Sequence, residues 1–185
     1  HFMILPLPYI FVGQLVGRQD MYMNAIKHLL FAEILTNIHS FITIIPNHCG
    51  SDVYRFREGC RPHSGSFYLR ALIGSANYNL GIDYNAVGPN LFDFLHGFLN
   101  YQIEHHLWPK LSTRSYQKAA PHVKALCKKY GLPYNQGGVF HRCKGAISVM
   151  TGESHMRWLP EAYEKKFLEI DNLAEKKRRG LVSFK

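Results

Sequence analysis

The sequence predicts an all-α protein in which integral membrane helices precede a helical C-terminal region on the cytosolic side. Three observations favour this class. The chain is strongly apolar and almost free of charged residues before residue 50, whereas later segments repeat apolar residues at helical spacing. Lysine and arginine outnumber the acidic residues 22 to 13, and many of them lie near the C-terminus. Because basic residues accumulate on the cytosolic side of membrane helices, this distribution orients the chain.

Two segments are predicted membrane helices, at about residues 2–17 and 28–46. The first is apolar except for Gln14 and is short for a span of about 20 residues. The second is the better candidate, and its Glu33 and Asn37 lie on one face at helical spacing. A polar stripe on an apolar helix packs inward, which favours a membrane helix with a functional interior. A buried core helix of a soluble protein would show the same pattern.

A histidine pair follows the second segment at the end of a predicted helix. Gln102, His105 and His106 are spaced i, i+3 and i+4, so a helix presents two imidazoles and an amide oxygen on one face. This set suits a first-row transition metal, and Pro109 ends the helix. The alternative is a pair of surface histidines that interact favourably with the helix C-terminus.

Polar residues on neighbouring segments could support such a metal. Asp93 and Asn100 lie on one stripe of an apolar helix predicted over residues 90–101, and buried polar groups there would need partners. His48 lies at the end of the second apolar segment, with Asp52 four residues later. A lone histidine more often has a structural role, so His48 is a candidate metal ligand only if it lies beside His105 and His106.

The region after Pro109 is predicted to be helical and water-exposed. An amphipathic helix spans residues 112–130 and ends at Gly131. A second helix is predicted over residues 140–150, and a charged helix over residues 159–179 is expected to project into solvent.

The composition argues against a nucleic-acid binder, which interleaves lysine and arginine with exposed aromatic residues. Here the aromatic residues lie in apolar segments and the charges lie elsewhere. The sequence therefore predicts a membrane partner and no nucleic acid. A non-catalytic membrane scaffold remains an alternative.

The segment around the histidine pair, residues 97–109, reads GFLNYQIEHHLWP and resembles the third histidine box of membrane fatty acid desaturases. Glutamine in the first position is typical of the front-end branch, which is associated with cytochrome b5, and of some bacterial acyl-lipid relatives. The dipeptide Asn47-His48 resembles an upstream motif that supplies a further ligand. The resemblance covers roughly residues 30–140.

The resemblance implies a di-iron site at the cytosolic face of a membrane domain. The iron would use O₂ and electrons from cytochrome b5 or ferredoxin to introduce a double bond into the acyl chain of a lipid or acyl-CoA. It implies that residues 1–109 are the C-terminal part of the desaturase domain, with the box at residues 102–106. Residues 110–185 would form the cytosolic helical region. The membrane would be the endoplasmic reticulum in a eukaryote and the inner membrane in a bacterium.

The iron ligands implied by the resemblance are His48, His105 and His106. Gln102 would replace a ligand or hold a bound water. Asp93, Asn100 and Asp52 are expected around these ligands on spacing alone.

The chain departs from the family pattern because it lacks the two earlier motifs, His-x-x-x-His and His-x-x-His-His. We therefore expect it to be the C-terminal portion of a longer enzyme, whose other part supplies the remaining iron ligands. A lipid hydroxylase of the same superfamily and a non-catalytic half-protein are the alternatives.

Overall fold

The computed structural model describes residues 3–79 and 91–180, which are mostly helical. The contacts divide the chain into two compact units, one ending at Ile42 and one beginning at Thr43. The helices are α1 (Pro8–Leu15), α2 (Met21–His48), α3 (Gly65–Ile73), α4 (Leu91–Leu95), α5 (Gln102–Leu107), α6 (Thr113–Tyr130), α7 (Val139–Met150) and α8 (Glu161–Arg178). The strands are β1 (Tyr54–Arg55), β2 (Asn77–Asn79), β3 (Gln136–Gly138) and β4 (Arg157–Trp158).

Helix α2 has the length and composition of a membrane-spanning helix. Its 28 residues extend about 42 Å, more than the roughly 30 Å of a bilayer's hydrocarbon core. Within residues 3–79 and 91–180, it is the one helix that meets both criteria. Large apolar side chains such as Phe31 and Ile34 are exposed, and Asn37 donates a hydrogen bond to Glu33. The predicted segment 28–46 therefore lies inside this longer helix.

The first predicted membrane helix, at residues 2–17, is wrong in extent. Turns occupy residues 3–7, and α1 has only eight residues, about 12 Å of helix. Proline lacks the N–H group that continues a helix, so Pro8 serves as the first helical residue. Gly17, in a left-handed conformation, follows the other end. A helix of this length does not cross a bilayer.

The core of the second unit lies between α3, α5 and α6. Five buried side chains from these helices form one cluster, and partly buried aromatic and leucine side chains surround it. The buried members are Leu72, Ile73, Ile103, Val123 and Cys127.

Two pairs of short parallel strands join distant parts of the second unit, and the predicted all-α class did not include them. Strand β2 pairs with β3, and β1 pairs with β4. Each strand has only two or three residues, too few to show the alternation that identifies a strand in a sequence. The pairing brings the segment that follows α6 alongside the segment that precedes the histidine pair.

The predicted helices after Pro109 are confirmed. Helix α6 ends at Gly131, whose φ of 65° is left-handed, and α7 matches the segment predicted at 140–150. Trp108, the residue before Pro109, has left the helical conformation, as expected. Our boundary between residues 109 and 110 stays a prediction.

The continuous helix predicted over residues 90–101 is wrong. Helix α4 ends at Leu95, and Gly97 and Phe98 both have positive φ angles, near 60°. Two left-handed residues in succession break an α-helix. Residue 90 lies outside the described residues.

The charged C-terminal helix was predicted to project into solvent, but α8 packs against the rest of the second unit. Glu164 is buried and accepts hydrogen bonds from the backbone N–H groups of Arg57 and Glu58 and from the Arg70 guanidinium. Asp171 accepts a hydrogen bond from the Ser66 N–H in the first turn of α3. Around both carboxylates, hydrogen-bond donors of the protein take the place of water. Helical spacing in the sequence does not reveal such contacts.

Replacing Glu164 by alanine will destabilise the second unit. The change leaves the Arg70 guanidinium, which is 14% exposed, without its carboxylate, and breaking such a pair costs about 3–5 kcal/mol. We expect a clear fall in the midpoint of thermal unfolding, followed by circular dichroism. The matched control, Glu161→Ala, removes an exposed glutamate of the same helix that pairs with Lys165, and the midpoint should not change. Equal midpoints for both variants would contradict the proposed role of Glu164.

A second stability prediction concerns Gly131, which ends α6. A Cβ there would meet no atom within 4 Å, so the cost of Gly131→Ala is conformational, about 1 kcal/mol. The control is Gly145→Ala within α7, where a Cβ also has open space but φ is ordinary. This change should raise the free energy of unfolding by about 0.5–1 kcal/mol. Opposite shifts of the unfolding midpoint are expected, and shifts of the same sign would refute the argument.

Candidate metal centre

The end of α2 and the short helix α5 bring two imidazoles together. The Nε2 atoms of His48 and His106 lie 2.9 Å apart, although 58 residues separate them in the chain. Two nitrogen ligands about 2.0–2.1 Å from one metal ion and at right angles are about 3 Å apart. The separation of the imidazole nitrogens therefore suits adjacent ligands of one metal ion.

A backbone hydrogen bond orients the His48 ring. Its Nδ1 atom lies 2.8 Å from the carbonyl oxygen of Ile44 in the preceding helical turn. An Nδ1–H that donates to this oxygen leaves a lone pair on Nε2, the atom that faces His106. Metal-binding histidines are commonly held by such a bond on the second ring nitrogen.

Gln102 joins the histidines one turn earlier on α5. Its side-chain Nε2 lies 3.2 Å from the Nε2 atom of His106. Rotation of the amide by 180° would place its oxygen there instead, and an amide oxygen can bind a metal or a metal-bound water. The predicted convergence of Gln102 and His106 is therefore present in the structure.

His105 is on α5 but is held by a different neighbour. Its Nδ1 atom lies 3.1 Å from the hydroxyl of Tyr116 on α6, and this hydroxyl donates a hydrogen bond to the carbonyl of Pro109. The hydroxyl then accepts from Nδ1–H, which leaves a lone pair on Nε2 of His105. The rings of His105 and His106 lie 5.7 Å apart.

The surroundings of His106 favour its neutral form. Burial, together with the neighbouring rings of His48 and His105, lowers the pKa of His106 to about 4. His106 is therefore neutral at physiological pH, which is the form of histidine that binds metals.

These residues fit one side of a metal centre. Two imidazole nitrogens converge with lone pairs available, and an amide completes a donor set that suits a first-row metal. In the part of the chain that the structure describes, no cluster of three or more histidine, cysteine or acidic side chains could hold a metal ion. A complete di-iron site would thus need further ligands from elsewhere.

A buried carboxylate beside the histidines escaped the sequence analysis. Glu104 is completely buried and accepts hydrogen bonds of 2.8 Å from Asn77 and from the Tyr134 hydroxyl. Burial raises the pKa of Glu104 above its ordinary value, and burial beside Glu104 raises the pKa of Tyr134. Asn77 also accepts from the N–H of Ile103, so α5 is anchored at two successive residues.

Asp93 organises the turn that precedes α5. Its side chain is 2% exposed and accepts hydrogen bonds of 2.8–2.9 Å from Asn100, Tyr101 and Gln117. Asp93 and Asn100 were predicted on one stripe of a helix; they do contact each other, but across a turn. Tyr101 in turn accepts a backbone hydrogen bond from His105. Direct support of a ligand by Asp93 or Asn100 stays a prediction.

Asp52 acts on the end of α2 through an arginine. Its carboxylate accepts two hydrogen bonds from Arg142 of α7, and the same guanidinium donates to the carbonyl of Pro46. Arg142 is buried and satisfies a carbonyl two residues before His48. Arg142, like Tyr116 and Glu104, gave no sequence signal apart from being a polar residue in a helical segment.

Residues 3–138, more than half of the chain, match the family described as Fatty acid desaturase. A relative named NADPH-dependent stearoyl-CoA 9-desaturase, from Mycobacterium tuberculosis, is 31% identical over 118 residues. That match covers 63% of this chain and 26% of the relative.

Two eukaryotic relatives match over shorter stretches. Fatty acid desaturase 3 of Bos taurus is 55% identical over 49 residues, which are 26% of this chain and 11% of the relative. The acyl-lipid (9-3)-desaturase of Borago officinalis is 51% identical over 47 residues, 25% of this chain and 10% of the relative. The matches thus span about a quarter of these relatives or less. No solved structure matches the chain.

The match over residues 3–138 includes both halves of the histidine cluster, His48 at the end of α2 and Gln102 to His106 on α5. The chain belongs to the fatty acid desaturase family.

Proposed function

We propose that this chain is the histidine-box part of a di-iron, O₂-dependent fatty acyl desaturase. The 2.9 Å approach of His48 and His106 is the observation that carries the proposal, because it joins two motifs of the family resemblance in space. The names of the relatives, among them a stearoyl-CoA desaturase and an acyl-lipid desaturase, support an acyl-CoA or acyl-lipid substrate.

The residues of this chain would hold iron from one side. His48, His105 and His106 would be ligands, and Gln102 would bind the metal or a water on it. The remaining ligands would come from outside the described residues. When bound, the di-iron centre supplies the oxidation that removes two hydrogens from an unactivated acyl chain, which no side chain can perform.

Residues around the ligands would hold them in one arrangement. The Ile44 carbonyl and the Tyr116 hydroxyl fix the ring orientation of His48 and His105, while Glu104 fixes α5 itself. Such support tunes both affinity and geometry in metal sites. Asp52 and Arg142 would hold the turn that carries His48.

Membrane insertion of α2 completes the proposal. The histidine cluster would lie where α2 leaves the bilayer on the cytosolic side, in the endoplasmic reticulum or a bacterial inner membrane. An electron donor such as cytochrome b5 or ferredoxin would reach it from that side. The basic C-terminal half supports this orientation.

Iron content tests the site directly. The chain, expressed together with its natural flanking sequence, should contain iron, and His48→Ala and His106→Ala should each lower the iron content strongly. Because both residues would serve one centre, the double variant should lose little more than either single variant. His122→Ala changes an exposed histidine of α6 and serves as the control. Unchanged iron in the double variant would refute the proposed ligands.

Product analysis tests the reaction. Fatty acids from a host that expresses the parent protein should contain a new double bond, absent with His106→Ala and retained with His122→Ala. The loss follows because the oxidation requires the metal that His106 would bind. Gas chromatography with mass spectrometry detects the new double bond in the extracted fatty acids. A hydroxylated product would assign the chain to a hydroxylase instead, and an unchanged lipid profile with intact iron would contradict catalysis.

A further inference from the structure

An apolar groove crosses the surface of the second unit between α3, the end of α5, and α6. Its volume is about 450 Å³, and it is open to solvent. Several lining side chains are large yet exposed, including Trp108 at 42% and Tyr130 at 63%. The lining includes Tyr68, Leu72, Trp108, Leu126, Tyr130 and Leu132.

The stretch of chain that supplies the α5 and α6 side of this groove is positively charged. Residues 105–152 contain eight lysines and arginines and no aspartate or glutamate, so nearly all of the net charge of +9 arises in this stretch. Lys118, Lys128 and Lys129 of α6 are exposed, and Lys129 lies over the ring of Tyr130. We call the groove together with these three lysines the basic groove.

We infer that the basic groove rests on the membrane surface and binds anionic phospholipids. Exposed tryptophan and tyrosine beside lysine is the composition of segments at the membrane–water interface. The aromatic and leucine side chains would enter the boundary of the acyl chains, and the lysines would extend their ammonium groups to phosphate or carboxylate headgroups.

The chain itself places the basic groove near the end of α2. Helix α2 is the described helix that can cross a bilayer, and its last residue, His48, contacts His106 on α5. Trp108 follows two residues later and lines the groove. The groove is therefore tied closely to the point where α2 ends. This inference rests on the membrane insertion of α2 in the proposed function, but not on catalysis.

Quenching of tryptophan fluorescence tests the contact. The chain contains two tryptophans, so W158F leaves Trp108 alone and W108F leaves Trp158 alone. Each variant is placed in phosphatidylcholine nanodiscs that contain brominated phosphatidylcholine or, at an equal mole fraction, brominated phosphatidylserine. Bromine on the acyl chains quenches only tryptophans that contact lipid. We expect Trp108 to be quenched and Trp158 to remain bright.

The comparison of two lipids tests whether the lysines select anionic headgroups. Quenching of Trp108 by brominated phosphatidylserine should exceed that by brominated phosphatidylcholine about twofold or more, because nearby lysines enrich anionic lipid. Replacing Lys118, Lys128 and Lys129 by glutamine should abolish this difference. The matched control replaces three exposed lysines of α8, Lys165, Lys166 and Lys176, by glutamine. It removes the same charge and should preserve the difference.

Each contrary result has a distinct meaning. A chain that does not purify with the nanodiscs overturns membrane insertion and this inference together. A chain that does so but keeps Trp108 bright overturns the inference alone. Equal quenching by both lipids overturns the binding of anionic headgroups.

Discussion

The buried carboxylate of Glu104 is the interaction on which the histidine cluster depends. Helix α5 has only six residues, too few to be stable alone, so its position comes from tertiary contacts. Glu104 receives hydrogen bonds from Asn77 and Tyr134, which lie in two different parts of the second unit. These bonds fix the helix that presents Gln102 and His106 to the end of α2.

Buried carboxylates that accept hydrogen bonds from distant residues recur through the second unit. Asp93 joins the turn before α5 to α6, Glu164 joins α8 to the segment after β1, and Asp171 meets the first turn of α3. A buried carboxylate is costly unless fixed donors replace its water, so each requires its partners in one arrangement. Short helices thereby acquire defined positions that their small apolar faces alone would not provide.

This arrangement explains how short helices and turns can hold the proposed ligands in defined orientations. The ring of His48 is held by its own helix, and that of His105 by Tyr116 of the next helix, while Arg142 satisfies the carbonyl of Pro46. Each of these proposed ligands therefore has a separate support. Loss of one support would disturb one proposed ligand more than the whole fold, because the apolar cluster around Ile103 is formed by other side chains.

The sequence by itself determined the features that depend on local spacing. Helical periodicity identified α2, α6 and α7, the conformational freedom of Gly131 marked the end of α6, and the grouping of Gln102 with the histidines pointed to a metal. Only the tertiary structure decided the break at Gly97 and Phe98, the docking of α8, and the approach of His48 to His106. The docking of α8 and the approach of His48 to His106 depend on contacts between residues far apart in the chain, which no local pattern encodes.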